Sequence, residues 1–252
     1  MTTKRQQSGF SLIELMIGLV LGLFVTGIVI TVFTQSKRNY NQDEEIARLQ
    51  ENGRYAMQLL SRDLAMAGFL GNMQIADAMT VNLSGTICGI NWGATESPLL
   101  NPIKVYTSDY PGCMSAEADT EALVIKRVKG SPRTSYVDDK VVIESNGRDG
   151  TLYVTSQTPG AGYQQWEFVT HGYYIKKDIN GVPGLARVAL LKSGGTFDDE
   201  GIIVPGIEDF RVTFGIDSDG DGIADEYKKN ATADEINSSV SARIDVLVRS
   251  TN

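Results

Sequence analysis

The sharpest chemical spacing in the chain is Asp217-Ser218-Asp219-Gly220-Asp221-Gly222-Ile223-Ala224-Asp225. Carboxylates at the first, third and fifth positions, with glycine at the sixth, match the opening of a calcium-binding loop. In such a loop alternate side chains turn toward one hard cation. Ile223, at the seventh position, offers a backbone carbonyl, and Asp225, at the ninth, a direct or water-mediated ligand. The twelfth position, where a bidentate glutamate completes a helix–loop–helix site, is Lys228. The loop is therefore expected to join a strand over Glu208–Ile216 to irregular chain, with the missing ligand drawn from Glu226 or a distant residue. The spacing predicts calcium at Asp217, Asp219, Asp221, Ile223 and Asp225; the alternative is a solvated acidic turn.

Other reactive side chains are sparse. His171 is the only histidine, so any nucleophile–base pair built on imidazole must pass through it. It lies in the strand-like run HGYYIKK and reads as structural. No nucleophile elbow, phosphate-binding loop, zinc-protease or dinucleotide signature occurs, and the chain is not expected to be an enzyme. Acid pairs such as Asp198-Asp199 read as polar turns. The two cysteines, Cys88 and Cys113, lack the spacing and companions of a zinc site. If this part of the chain lies outside the cytoplasm they read as a disulfide, worth on the order of 3 kcal/mol in the chain-entropy picture. Two separate buried thiols are the alternative.

At 252 residues the chain can bury a substantial core. Its net charge of -8 is unevenly placed. Residues 1–38 hold four basic groups (Lys4, Arg5, Lys37, Arg38) and one acid (Glu14), leaving 19 basic against 30 acidic residues beyond them. So acidic a body repels phosphate backbones, and nucleic-acid binding is not expected.

Elements that would position these groups follow from periodicity. From Phe10 to Phe33 the sequence FSLIELMIGLVLGLFVTGIVITVF is apolar apart from one acid and a few hydroxyls. As a helix it spans about 36 Å, enough for a hydrocarbon core of about 30 Å. Lys4 and Arg5 ahead of it place the N-terminus in the cytoplasm and export the rest. Glu14 is its one anomaly, because a carboxylate inside a membrane span costs roughly 2.5–3.5 kcal/mol near the centre and less near an end. Gly18, Gly22 and Thr26 form a small-residue stripe that permits close helix approach. Beyond the span, Ile46, Leu49, Gly53, Ala56, Leu60, Leu64 and Ala67 recur at helical spacing. With no proline before Pro98, one helix of about 55 residues is expected, ending near Gly68.

After residue 70 glycine, proline and turn residues become frequent, and short alternating runs predict strands. They are Ala122–Lys129, Val141–Ser145, Thr151–Gln157, Glu167–Lys177, Leu185–Lys192, Glu208–Ile216 and Ala242–Arg249. Residues 70–120 read as an irregular loop region. A helix spine on an antiparallel sheet is α+β. The expected organisation is a leader over 1–9, a membrane-spanning helix over 10–34, its amphipathic continuation over 35–68, and a β-rich head over 69–252.

Two resemblances sharpen this. The basic leader, Gly9, and then Phe10-Ser11-Leu12-Ile13-Glu14-Leu15 resemble the class III prepilin signal. The resemblance implies that a prepilin peptidase cuts between Gly9 and Phe10 and N-methylates the new amine on Phe10. It also implies that Glu14 attracts the corresponding amine of a neighbouring subunit during assembly. RYAMQLLSRDLAMAGFLG (residues 54–71), IEDFRVTFGIDSDGDGIADEY and SARIDVLVRS resemble the PilW family of minor pilins, although Asn72 stands where many relatives carry cysteine. The implied fold is pilin-like. The implied role is to prime or cap a type IV pilus, with other minor and major pilins, the prepilin peptidase, an inner-membrane assembly platform and a tip adhesin as partners. The chain would sit in the inner membrane with a periplasmic head, then in the filament or at its tip. A J-type pseudopilin of type II secretion, or a tip module for adhesion or DNA uptake, are the alternatives.

Overall fold

A computed structural model describes residues 9–74, 79–83, 86–87, 90–91, 101–190 and 197–251. The chain divides into two compact units, residues 1–48 and 49–252.

Helix α1 runs Leu12–Ala65, 54 residues, close to the length read from the sequence. In the first unit its apolar side chains are open among the described residues: Leu12, Leu19, Leu23, Phe24, Ile30 and Phe33 are each more than half exposed. The hydroxyls of Thr26 and Thr31 bond back to the carbonyls of Gly22 (2.7 Å) and Gly27 (2.9 Å), so these polar groups are satisfied within the helix. In the second unit the helix becomes one-sided. Ala56, Leu60 and Asp63 are buried on a single stripe. Gly53 belongs to the same stripe, where an added Cβ would lie 3.1 Å from the Val248 side chain. The helix ends as expected, with Gly68 in the left-handed region (φ +74). The Gly68 amide then donates to the Lys126 carbonyl (3.0 Å) and the Val128 amide to the Phe69 carbonyl (2.8 Å), so the exiting chain is clipped to a strand.

Thirteen strands follow among the described residues: β1 Met79–Val81, β2 Thr86–Ile87, β3 Ile90–Asn91, β4 Ile103–Tyr106, β5 Ala122–Val128, β6 Lys140–Ser145, β7 Gly150–Thr155, β8 Gln164–Lys177, β9 Pro183–Leu190, β10 Phe197–Pro205, β11 Ile207–Ile216, β12 Glu226–Lys228 and β13 Ser239–Val248. A short helix, α2 Ala233–Asn237, precedes β13 and carries a capping box between Thr232 and Glu235. The large sheet has the order β1-β7-β6-β8-β5-β4, with β9 and then β10 extending from β8. Strand β8 is 14 residues long, and successive parts of it pair with β6, β5 and β9. A second sheet has the order β12-β11-β13, and β2 pairs with β3. The fold is α+β and pilin-like, with antiparallel pairing throughout except that β1 runs parallel to β7.

The main core lies where α1 meets both larger sheets. Ala56 and Leu60 pack with Leu123, Ile125, Tyr173, Ile175, Phe210, Val212 and Phe214. On β13, Ile244, Val246 and Val248 face this core, as alternation predicts.

Two readings need correction. The stretch over residues 70–120 is not wholly irregular, because it contributes β1 to β4. These strands are two to four residues long, too short for alternation to register. Asp198 and Asp199 lie in a strand, not a polar turn. Among the described residues strand β10 pairs only with β9, and Asp199 reaches back across β9 to Lys176 (2.7 Å) and Tyr174 (3.0 Å) on β8.

Candidate functional site

The N-terminal site residues fall at the start of α1. Gly9 and Phe10 precede the helix, which begins at Leu12, so the bond between them lies in non-helical backbone. Glu14 sits in the first helical turn, where a negative charge is favoured by the helix dipole. Its side chain is exposed among uncovered apolar neighbours.

The acidic loop is the turn of a hairpin. Asp217 follows β11 directly and Asp225 comes just before β12, with the Asp225 amide bonded to the Ile216 carbonyl (2.8 Å). Left-handed backbone at Gly220 (φ +81) and Gly222 (φ +85) folds the loop back on itself. Both oxygens of Asp217 accept backbone amides, from Gly220 (2.7 Å) and Gly222 (2.8 Å). Those amides hold its carboxyl below the usual range. Ligand oxygens of Asp217, Asp219 and Asp225 lie within 4.8 Å of one another. An all-oxygen set of this kind suits a hard divalent cation. Asp221 stands outside the trio, its carboxylate accepting the Ile223 amide (2.8 Å). The hairpin exits into strand β12 rather than irregular chain. Lys228, on that strand, pairs with Glu235 (2.7 Å) and Glu226 (3.3 Å), so Glu226 serves the lysine.

A third constellation was not read from the sequence at all. Asp63, 4 % exposed at the end of α1, accepts four hydrogen bonds. Arg127 on β5 donates Nε (3.1 Å) and Nη2 (2.7 Å) to Oδ1. Tyr173 on β8 donates its hydroxyl to Oδ2 (2.5 Å), and His171 places Nδ1 against the same oxygen. Burial alone would raise the Asp63 pKa, but the bonds from His171, Tyr173 and Arg127 outweigh it and hold the carboxyl well below the ordinary range. Burial and the Asp63 charge push the Tyr173 hydroxyl upward, so it stays a donor. Arg187 on β9 forms a separate pair with Glu200 on β10 (2.5 and 2.9 Å). His171 is thus structural, as expected, but as part of an ionic joint. The only signal in the sequence was a carboxylate at a buried position of the amphipathic helix, Asp63 three residues after Leu60.

Cys113 is disulfide-bonded, while its expected partner Cys88 lies outside the described residues.

Comparison with known proteins gives two matches. Residues 172–252 match the family described as type IV pilus-assembly protein W. Residues 4–30 match the prokaryotic N-terminal methylation motif. No curated protein and no solved structure matches the chain. The first match covers the acidic hairpin, β13 and Tyr173, and the second covers Gly9, Phe10 and Glu14.

Removing one partner from a buried ionic joint leaves the others uncompensated. Asp63→Ala is expected to lose about 3–5 kcal/mol of stability, read by thermal or denaturant unfolding. The pH dependence has a definite sign. The folded pKa of Asp63 is depressed relative to an unfolded value of about 3.9, so its contribution is fully present above that value and is lost as pH falls toward the folded one. Asp63→Asn should therefore flatten the acid side of the stability profile; an unchanged profile would show that the joint contributes nothing.

Proposed function

We propose that the chain is a type IV pilus minor pilin of the PilW family and that it primes or caps the filament, by helix packing below and head-to-head contacts above. It is a structural component of the pilus, anchored by its apolar N-terminal helix before incorporation. The observation that carries the proposal is the register of three residues at the start of α1. Gly9 and Phe10 precede the helix in backbone open to a peptidase, and Glu14 lies one turn inside an apolar surface that the chain leaves uncovered. Such a surface demands lipid or other helices, and an isolated carboxylate within it demands a cation. A neighbouring subunit supplies both in this reading: apolar helix surface, and the amine freed on Phe10 by cleavage after Gly9. Lys4 and Arg5 orient the precursor with its N-terminus in the cytoplasm and its head in the periplasm. The prepilin peptidase, the inner-membrane platform, the other pilins and a tip adhesin are the partners this role requires.

The acidic hairpin is proposed to bind calcium through Asp217, Asp219 and Asp225, with the Ile223 carbonyl and, after a side-chain rotation, Asp221 as further oxygen donors. The fit rests on the convergence of three carboxylates in a loop whose remaining donors are also oxygen. The cation would neutralise this acidic cluster and fix the hairpin that caps one end of the β12-β11-β13 sheet.

Three outcomes are expected. Substituting Gly9 with a bulky residue should leave an uncleaved precursor, visible on a gel by its mass; normal processing would exclude the peptidase site. Glu14→Ala should enter filaments poorly while the precursor is still cleaved, and assembly equal to the parent would remove the pairing role. Calcium at about 10 mM should stabilise the detergent-solubilised full chain by roughly 1.4–2.7 kcal/mol for a Kd of about 10⁻³–10⁻⁴ M. The thermal shift should vanish in Asp217→Asn, and its absence in the parent would eliminate the metal.

A further inference from the structure

Strand β13 has an open side. It pairs with β11 from Ser239 to Val248, and among the described residues 240–248 make no other backbone hydrogen bond. Every second residue of an antiparallel strand turns its N–H and C=O to the far side, so about four or five residues here offer both groups to a further strand. Edge strands are commonly blunted by lysine, proline or inward-pointing charge. Further along β13, Arg243 and Asp245 pair with each other (2.8 Å). Its first four residues, Ser239-Val240-Ser241-Ala242, carry no charge and no proline. A register shift there places Val240 nearly half exposed (47 %).

Beside these four uncharged residues, interrupted only by the bulge at Val240, lies a groove of about 510 Å³. Leu64 and Ala67 from the end of α1, Ile103 from β4 and Ile236 from α2 line it, with Val240 and Ile244 of β13 itself. None of its lining residues is charged, although the body beyond residue 38 holds 30 acidic and 19 basic residues. Among the described residues strand β4 also pairs on one side only, with β5, so the groove separates two sheet edges that are open among them. An occupant must therefore satisfy backbone groups along one wall and present small uncharged side chains to the other. A charged side chain turned inward would be desolvated with no counter-ion to meet it. An extended peptide segment meets both demands, through main-chain bonds for affinity and alternate side chains for fit.

The described strands of this chain are a poor source of that segment. Of the other open-edged ones, β10 carries Asp198, Asp199 and Glu200, β4 carries Lys104, β12 carries Glu226 and Lys228, and β1, β2 and β3 are only two or three residues long. β13 brings Arg243 and Asp245. We propose that the groove between β13 and β4 receives an uncharged extended strand from the head of a different pilin, which adds to β13 and joins the two heads edge to edge. The proposal rests on the minor-pilin reading and deepens it by naming the contact.

The test uses the full chain in cells that assemble the filament. A photo-crosslinking benzoylphenylalanine replaces Val240, and a control replaces Ile179, which is fully exposed in the β8–β9 turn. The expected result is an adduct from position 240 and none from 179. Mass spectrometry should map it to an uncharged extended segment in the head of another pilin. Ser241→Pro and Val240→Lys should lower filament incorporation at least tenfold at equal membrane levels. An adduct to a second copy of this chain or to lipid, no adduct in isolated filaments, or parental incorporation of both variants would overturn the proposal. If a variant misfolds, the crosslink alone decides. If the parent chain is absent from filaments altogether, the minor-pilin reading fails, and the edge contact with it.

Discussion

A carboxylate taken out of water must be met on all sides, and Asp63 is met from two strands at once. It ends the buried stripe of α1, one turn after Leu60, and draws Arg127 from β5 and His171 and Tyr173 from β8 onto its two oxygens. One connected set of polar groups therefore ties α1, β5 and β8, while Arg187 and Glu200 pair separately across β9 and β10. Apolar packing of Ala56 and Leu60 is non-directional and would tolerate sliding of the helix along its axis. The fork of Arg127 and the converging donors of β8 tolerate far less, because each displacement strands a buried charge. The position of the helix against the sheet is set at this point.

Other ties repeat the device on a smaller scale. Glu121, buried at the edge of β5, accepts the Val212 amide of β11 (2.9 Å) and lies 3.5 Å from Arg211. It thereby bonds the large sheet to the β12-β11-β13 sheet. Burial pushes its pKa up, against the pull of the Val212 amide and Arg211. The Gly68 amide on Lys126 and the Val128 amide on Phe69 complete the seam where the chain leaves the helix. Strand β5 is therefore joined to α1, to β8 and to β11, and changes there should propagate further than changes at the open edges.

The first unit follows the opposite rule. Its apolar surface has no core of its own to enter, and Glu14, the one carboxylate of the apolar run, faces the same exposed surface. A folded head and an uncovered helix in one chain are consistent with a protein whose second solvent is first lipid and then other helices. The head reserves its own uncovered features for a different purpose. The acidic hairpin leaves one end of β11, and the uncharged groove lies along the open side of β13, so both follow from a sheet that stops after three strands.

Much of this was legible in the linear chain because the controlling interactions are local. The helix from Leu12 to Ala65 follows from apolar run, amphipathic spacing and the absence of proline, and its end from Gly68. Seven of the strands follow from alternation, and the positions of Gly9, Phe10, Glu14 and the acidic hairpin from fixed spacing along the sequence. The tertiary structure decided what depends on residues far apart in sequence. Asp63 meets Tyr173 across 110 positions, and no periodicity foretells which donors a buried acid will find. The same holds for Asp198 and Asp199, polar in sequence but strand residues once β9 gives them an edge to pair with. It holds also for the open side of β13, since a strand's neighbours, unlike its existence, are a property of the whole fold.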